Sequence, residues 1–424
     1  MHENHYIFRW CRGGLAGRSG DSMAQTGTNL FRVKEYNEAR VLDIIRIRGP
    51  VSRREIAEAS GLKFQTVSNI TNRLREAGVV VEESRVFRGG RRSLRLRLNE
   101  EAAYAVGIQL NRSALAVAIT DFCGRVLARS SAEVAASEGP SAVVPVIREH
   151  AERVIEAAGV LRDKILGAGI GVPGPPTPRT GRMLDPNFLG WREYPLQEEL
   201  ERELGLPVCV DNDATAAALG ERWSGVAADA ANFVYVYLGS GVGAGIFANH
   251  QVYRGSSGNS GEIGHIPVEP HGPPCYCGNR GCLEVYVSPQ GVLREARVAA
   301  LQTSHLPRVA RASFPDRFED VVASEEPLFR SVVEAAGERL GRIISGMVGV
   351  LDPELIVLGG PTVEMLGDLF RESILAALRA SSLPSRPLPK VELSAAGADA
   401  GPVGAAALVL HDTYAPSMQT LSLA

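Results

Sequence analysis

Residues 105–127 read AVGIQLNRSALAVAITDFCGRVL, and residues 233–253 read FVYVYLGSGVGAGIFANHQVY. The first stretch is an apolar strand, a polar loop, a second apolar strand, a turn over Asp121–Gly124 and a third strand. The second repeats that plan with a glycine-rich loop and a turn at Asn249-His250. Short apolar runs bounded by turn residues are strand signals, and longer runs with a 3.6-residue period are helices. Helical stretches are expected at 140–158, 193–204 and 326–350. Two copies of one strand–loop–strand unit, spaced by helices, predict a two-lobed α/β body with a cleft between its lobes.

The chain around this duplication has 424 residues, which is room for about two to three domains. Its 45% hydrophobic and 22% charged residues are those of an ordinary globular protein. No apolar run is long enough to cross a membrane, and the opening MHENHYIFRWCRGG lacks the apolar core of a secretory leader, so a cytoplasmic protein is expected. Three of the six cysteines crowd between Cys275 and Cys282, which points to metal before disulfides. The net charge of -3 hides an asymmetry. Between Phe31 and Asn99 sixteen basic side chains face eight acidic ones, an excess of +8, while residues 100–424 carry -12. A basic segment on an acidic body points to nucleic acid for the first part and to another ligand for the second.

Residues 1–28 lack periodicity and are expected to be disordered. Residues 29–99 read as a DNA-binding domain. Val41, Leu42, Ile44 and Ile45 form a helical apolar face ended by Gly49-Pro50. Ser52-Arg53-Arg54-Glu55 is a capping box that opens a second helix, which stops at Ser60-Gly61-Leu62. A third helix, Lys63 to Arg75, turns Val67, Ile70 and Leu74 inward and leaves Gln65, Ser68, Asn69 and Asn72 pointing out, with Thr66 and Arg73 as further candidate DNA contacts. Asn and Gln can bond adenine on two atoms in the major groove. A basic hairpin tip with Arg88, Arg91 and Arg92 follows, and Leu94, Leu96 and Leu98 then alternate with polar residues as in a two-faced strand. Three helices and a basic wing make a winged helix-turn-helix, with the wing arginines on phosphate or in a minor groove. The competing reading is a helical interaction domain with a solvated arginine hairpin.

In the body, the loop holding Gly239, Gly241 and Gly243 either lets backbone N–H groups approach a phosphate or simply turns the chain between buried strands. The strand ending in Asp211-Asn212-Asp213 places acceptors and an amide at the carboxyl end of a sheet, where α/β proteins bind ligands. Polyols need such groups, although Asn212 or Asp213 could equally cap the following helix. His265, Cys275, Cys277 and Cys282 form H-x9-C-x-C-x4-C, a closed structural zinc set, unless the loop is one of free thiols. Folding that loop around a metal would bring Glu262 and Glu284 near one another.

The body resembles the ROK family (repressors, open reading frames and sugar kinases). The motifs are GVPGP at 171–175, VDNDA at 210–214, LGSGVGAG at 238–245, GEIGH at 261–265, CYCGNRGCLE at 275–284, IVLGG at 356–360 and GPVGAAAL at 401–408. From about Thr28 onward the chain is similar to the DNA-binding branch of that family. The resemblance implies an actin-like ATPase (ribonuclease H-like) fold: one lobe over 100–225, a second with the zinc loop over 226–400, and a C-terminal helix and tail over 401–424 returning to the first lobe. It implies sugar contacts for Asn212, Asp213, Glu262, His265 and Glu284, with Asp213 the catalytic base in the kinases. It implies zinc ligation by His265, Cys275, Cys277 and Cys282, and a nucleotide site, vestigial here, at Gly239, Gly241, Gly243, Gly359 and Gly360.

One departure bears on function. Where the family's kinases carry an Asp-x-Gly-Gly-Thr type loop, this chain has Gln109-Leu110-Asn111-Arg112-Ser113. Phosphoryl transfer rests on positioning and metal-assisted charge stabilisation, so ATP and Mg²⁺ are not expected to be used. The expectation is a sugar-responsive regulator, read as a repressor of carbohydrate-metabolism genes. Its partners are operator DNA and a mono- or small oligosaccharide, and it is a homodimer or tetramer with no membrane partner. The alternative is an ATP-dependent sugar kinase that also carries a DNA-binding domain.

Overall fold

The computed structural model describes residues 30–86, 92–174, 191, 193–302, 315–381 and 387–416. The chain divides into two units. The first is Met1–Leu184, Trp191–Asp213 and Pro402–Ala424; the second is Asp185–Gly190 and Ala214–Gly401.

The first unit opens with helix α1 (Leu30–Arg48), which buries Val41, Leu42, Ile44 and Ile45. Helix α2 (Arg53–Ser60) starts at the expected capping box. Glu55 N–H donates to Ser52 Oγ at 3.3 Å and Ser52 N–H to Glu55 Oε2 at 2.8 Å. These bonds, backbone first, hold the Glu55 carboxyl below its ordinary pKa. Gly61 ends the helix at φ 71, a left-handed position that suits glycine. Helix α3 (Phe64–Glu76) buries Val67, Ile70, Thr71 and Leu74. Strands β1 (Val80–Val86) and β2 (Arg92–Leu98) pair antiparallel, and Val51 bridges to Leu96 so that the α1–α2 link joins the hairpin. Leu96 and Leu98 are buried while Leu94 is exposed, so the inward face of β2 ends one residue pair short of the wing. This is the expected winged helix-turn-helix.

The same unit carries a five-stranded sheet of order β5-β4-β3-β6-β7: β3 (Tyr104–Leu110), β4 (Ala114–Asp121), β5 (Val126–Glu133), β6 (Ile165–Val172) and β7 (Val208–Asn212). β3–β4 and β4–β5 are antiparallel; β3–β6 and β6–β7 are parallel. Helix α4 (Pro140–Ala158) packs on β4 and β5 through a buried stripe that includes Val143, Ile147, Ala151 and Val154. Helix α5 (Leu196–Leu204) turns Leu196, Leu200 and Leu204 inward at a spacing of four. The C-terminal helix Ala400–Tyr414 lies on β3 and β6, and two strand glycines make its approach possible. A Cβ at Gly107 would stand 1.8 Å from Pro402 O, and one at Gly169 1.8 Å from Ala405 O.

The second unit repeats the sheet. Its order is β10-β9-β8-β11-β12: β8 (Phe233–Leu238), β9 (Val242–Ala248), β10 (Gln251–Val252), β11 (Leu355–Gly359) and β12 (Lys390–Leu393). The antiparallel and parallel pairs fall in the same places. The duplication legible in the sequence is therefore a duplication of topology. Helix α6 (Asp213–Ser224) is buried along nearly its whole length. The core of this unit includes Val234, Val236, Leu340, Ile344, Ile356, Leu358, Phe370 and Ile374. The long helices Pro327–Leu351 and Pro361–Ser381, which supply half of these residues, pack on one another.

Candidate functional sites

Helix α3 and the wing carry the expected DNA-reading residues. Gln65 and Asn69 are exposed, and Gln65 Nε2 donates to Asn69 Oδ1 at 3.1 Å, one turn on. Thr66, Ser68 and Asn72 are half-buried along the same helix. Arg73 reaches back to α1, where its Nη2 lies 2.8 Å from Glu38 Oε2. Asn72 Oδ1 accepts from Arg53 Nη2 at 3.3 Å. Arg88 and Arg91 lie outside the described residues; Arg92 is described as the first residue of β2. Sequence periodicity gave no sign of Phe64. By spacing it belongs with buried Val67 and Thr71, yet it is 57% exposed at the first turn of α3. An uncovered aromatic ring there can meet a thymine methyl.

In the first unit, Asn212 closes β7 and Asp213 opens α6. Asp211 Oδ1 accepts the Asn212 N–H at 2.9 Å at the end of the strand. Gln109, on β3, pairs in register with Gly171 on β6 and is buried. Its Nε2 donates to Asn111 Oδ1 at 3.2 Å, and its buried Oε1 has no hydrogen-bond partner among the described residues. The Gln109 side chain is thus a buried neutral amide bonded to a second amide.

In the second unit, Gly239 and Gly241 turn the chain from β8 into β9, with Gly239 N–H donating to Gly241 O at 3.0 Å, and Gly243 is the second residue of β9. Glu284 lies against this loop: its Oε2 accepts from Val242 N–H at 3.1 Å. Gly359 and Gly360 end β11. Gly360 has φ +97, and a Cβ there would meet Leu238 O at 2.4 Å, so packing alone demands glycine. Glu262 precedes a 3-10 turn that His265 ends, with His265 Nε2 at 4.0 Å from Glu262 Oε2. The Tyr276 hydroxyl bonds the same Nε2 at 3.1 Å, which leaves Nδ1 for the cysteines.

His265, Cys275, Cys277 and Cys282 converge, with their candidate ligand atoms all within 4.8 Å of one another. Antiparallel bridges Pro267–Cys282 and Pro274–Arg280 pin the loop. The Cys277 and Cys282 sulfurs are 3.7 Å apart, and Cys275 Sγ is 3.6 Å from His265 Nδ1. A tetrahedral ion with metal–sulfur bonds of about 2.3 Å and a metal–nitrogen bond of about 2.0 Å requires edges of about 3.8 and 3.5 Å, each within about 0.1 Å of those observed. The donor set fits a four-coordinate ion. With thiols alone, burial first and then the neighbouring Cys277 and Cys275 push Cys282 up to about 12.

No described helix is long and apolar enough to cross a membrane. The ROK family pattern matches residues 105–412, and a MarR family pattern matches residues 35–92. The chain is 31% identical over 354 residues to a putative xylose repressor of Caldicellulosiruptor sp. (strain Rt8B.4), covering 81% of this chain and 87% of that one. It is 33% identical over 316 residues to a glucokinase of Halalkalibacterium halodurans, covering 72% of this chain and 94% of that one. Among solved structures, a ROK family transcriptional regulator described as a homolog of the E. coli MLC protein superposes with a TM-score of 0.73 at 28% identity. That match covers 90% of this chain and 97% of the other. The glucokinase match leaves more of this chain uncovered than the two regulator matches do. With its body matching over residues 105–412 and a winged helix ahead of it, the chain belongs to the ROK family.

Proposed function

We propose that this protein is a sugar-responsive transcriptional repressor of carbohydrate-metabolism genes, acting in the cytoplasm. Its winged helix binds operator DNA, and its ROK body binds a mono- or small oligosaccharide through Asn212, Asp213, Glu262, His265 and Glu284. The observation that carries the reading is Gln109. A buried neutral amide on β3, followed by Asn111, Arg112 and Ser113, replaces the carboxylate and glycines that a kinase needs around Mg-ATP. Asp213 then serves as a sugar acceptor rather than as a base.

His265 Nδ1 and the thiolates of Cys275, Cys277 and Cys282 hold zinc, which supplies the charge that keeps three thiolates together. The loop so fixed carries Glu262 and Glu284 at its ends. The protein acts as a homodimer or tetramer on a palindromic or repeated operator. Sugar releases it by binding one conformation better than the other.

ADP formation by the zinc-loaded protein with Mg-ATP and a panel of sugars, beside Asp213→Asn, tests the reading. The expected result is no ADP above the variant, while one sugar raises the melting temperature. A ligand at a hundred times its Kd adds about 2.7 kcal/mol. Sugar-dependent ADP release that vanishes in Asp213→Asn would make the protein a kinase that also reads DNA.

A further inference from the structure

Arg53 is the first residue of α2, and nothing in its sequence position marks it for DNA reading. Its guanidinium nevertheless joins three elements. Nε donates to Thr71 Oγ1 on α3 at 2.9 Å. Nη2 donates to Asn72 Oδ1 on α3 at 3.3 Å and to Glu82 Oε1 on β1 at 2.6 Å. Thr71 is fully buried, and its hydroxyl is spent on Ser68 O at 3.1 Å, so this contact is fixed from both sides. Glu82 is held in turn by Arg75 at 3.3 Å, and its carboxyl is kept below the ordinary range, first by the bond from Arg53. A guanidinium with two carboxylate or hydroxyl partners and a helix on either side has little freedom to swing out to a phosphate.

The bond to Asn72 has a chemical consequence. Arginine has only donors, so the Asn72 atom facing it must be the amide oxygen. The amide nitrogen then points away from Arg53, and the oxygen, although it keeps a second lone pair, is turned toward Arg53, so the group Asn72 offers on its other side is a donor. A free asparagine can grip adenine on two atoms, accepting from N6 and donating to N7; one whose oxygen is turned to an arginine cannot bring both atoms to the same base edge. The partner pair Gln65 and Asn69, bonded to each other at 3.1 Å, differs. Whichever way its amides are turned, it presents one donor and one acceptor, which is the pattern of an adenine edge.

We propose that Arg53, braced by Glu82, is a positioning residue that fixes Asn72 as a donor-only reader of the major groove. Asn72 therefore selects a base edge that shows an acceptor (guanine N7 or O6, adenine N7, thymine O4) and disfavours cytosine, whose edge shows a donor. The inference rests on the DNA-binding reading of α3.

The test is selection of bound sites from a randomised duplex library by the full chain, as wild type, Asn72→Asp, Asn72→Ala and Arg53→Met. Asn72→Asp keeps the shape and the bond to Arg53 but turns the outward donor into an acceptor, the group that pairs with cytosine N4. At one base pair of each half-site the preference should move toward cytosine or adenine by tenfold or more, with other positions unchanged. Asn72→Ala should lose selectivity at that position alone. Arg53→Met frees the amide to rotate, so the same position should drift toward adenine. A merely structural role for Arg53 would weaken all sequences alike and leave every preference where it was. That result, or identical preferences for wild type and Asn72→Asp, would overturn the proposal. Selection of no sequence by the wild type would overturn the DNA-binding reading itself, and this inference with it.

Discussion

Gly169→Ala should be among the most damaging single-methyl additions in the protein. The added Cβ would stand 1.8 Å from Ala405 O and 2.7 Å from Ala405 C, both backbone atoms of the C-terminal helix. Real Cβ contacts essentially never fall under 3.0 Å, so β6 and that helix must part by about 1.2 Å. No rotamer can absorb this, because neither side of the clash is a side chain. A gap of about 1 Å forfeits up to half of the dispersion energy of the atoms facing it. The helix presses Ala405, Ala406, Val409 and Leu410, all fully buried, into this core, so the loss extends along it. Overpacking of this kind costs about 1–3 kcal/mol and occasionally more; with backbone on both sides we expect about 3 kcal/mol. At roughly 2–4 °C per kcal/mol for a unit of this size, the melting temperature falls by about 6–12 °C. The matched control is Gly346→Ala in the exposed face of helix Pro327–Leu351, where an added Cβ meets nothing within 4 Å. That change removes backbone freedom from the unfolded chain and should stabilise by about 0.5–1 kcal/mol. Thermal unfolding of the two variants beside wild type reads both signs. A Gly169→Ala protein that melts with the wild type would refute the packing described for β6 and the C-terminal helix.

Three further outcomes follow from other parts of the molecule. Ser52→Ala removes one half of the capping box and should cost about 1 kcal/mol in denaturant unfolding of the winged helix, with Ser52→Thr close to wild type. His150 is buried beside Ser130 Oγ at 2.8 Å, and burial, with Arg153 adding to it, pushes its pKa down from 6.5. The unfolded chain therefore takes up the proton first: the stability due to neutral His150 is complete above about pH 6.5 and drains away as pH falls through the folded value. Denaturant midpoints at about pH 7.5 and 5.5 should drop further for wild type than for His150→Gln, and equal drops would count against it. Stripping metal with a chelator, or Cys277→Ser, should abolish the sugar-induced thermal shift while operator binding survives in a gel-shift assay; sugar binding by the metal-free protein would refute the role given to the loop.

Much of this architecture was legible because its signals are local. The strand–loop–strand duplication, the capping box and helices Pro140–Ala158, Leu196–Leu204 and Pro327–Leu351 fall within a few residues of their expected places. Apolar period and cap chemistry act over one or two turns, so a window of sequence contains them. The order of the strands is different: β11 lies beside β8 only because a long helical insertion folds back, and no local pattern encodes that. The cysteine cluster was readable as a ligand set since three of its members sit within eight residues, whereas the choice of Nδ1 over Nε2 on His265 depends on Tyr276. Arg73 looked like an outward contact of the recognition helix. Its partner Glu38 is 35 residues away on α1, a distance over which charge pairing leaves no trace in spacing. Arg53, Asn72 and Glu82 were invisible as a group for the same reason.

The placement of the C-terminal helix also orders events in time. Strands β3 and β6 are made early, yet the part of the C-terminal helix that fills the face opened by Gly107 and Gly169, from Pro402 on, is made after every residue of the second unit. Chains fold broadly as they emerge, with the earlier parts first. Here the second unit has all of its strands in hand while the first still lacks a layer of its core, and closing that layer requires contacts of very large sequence separation, which form slowly. Until Ala400–Tyr414 is made, the face of β3 and β6 opened by Gly107 and Gly169 lacks the helix that covers it. The final layer of the first unit is thus the last part of its sheet packing to be supplied, although its first strand is made before any of the second unit's helices.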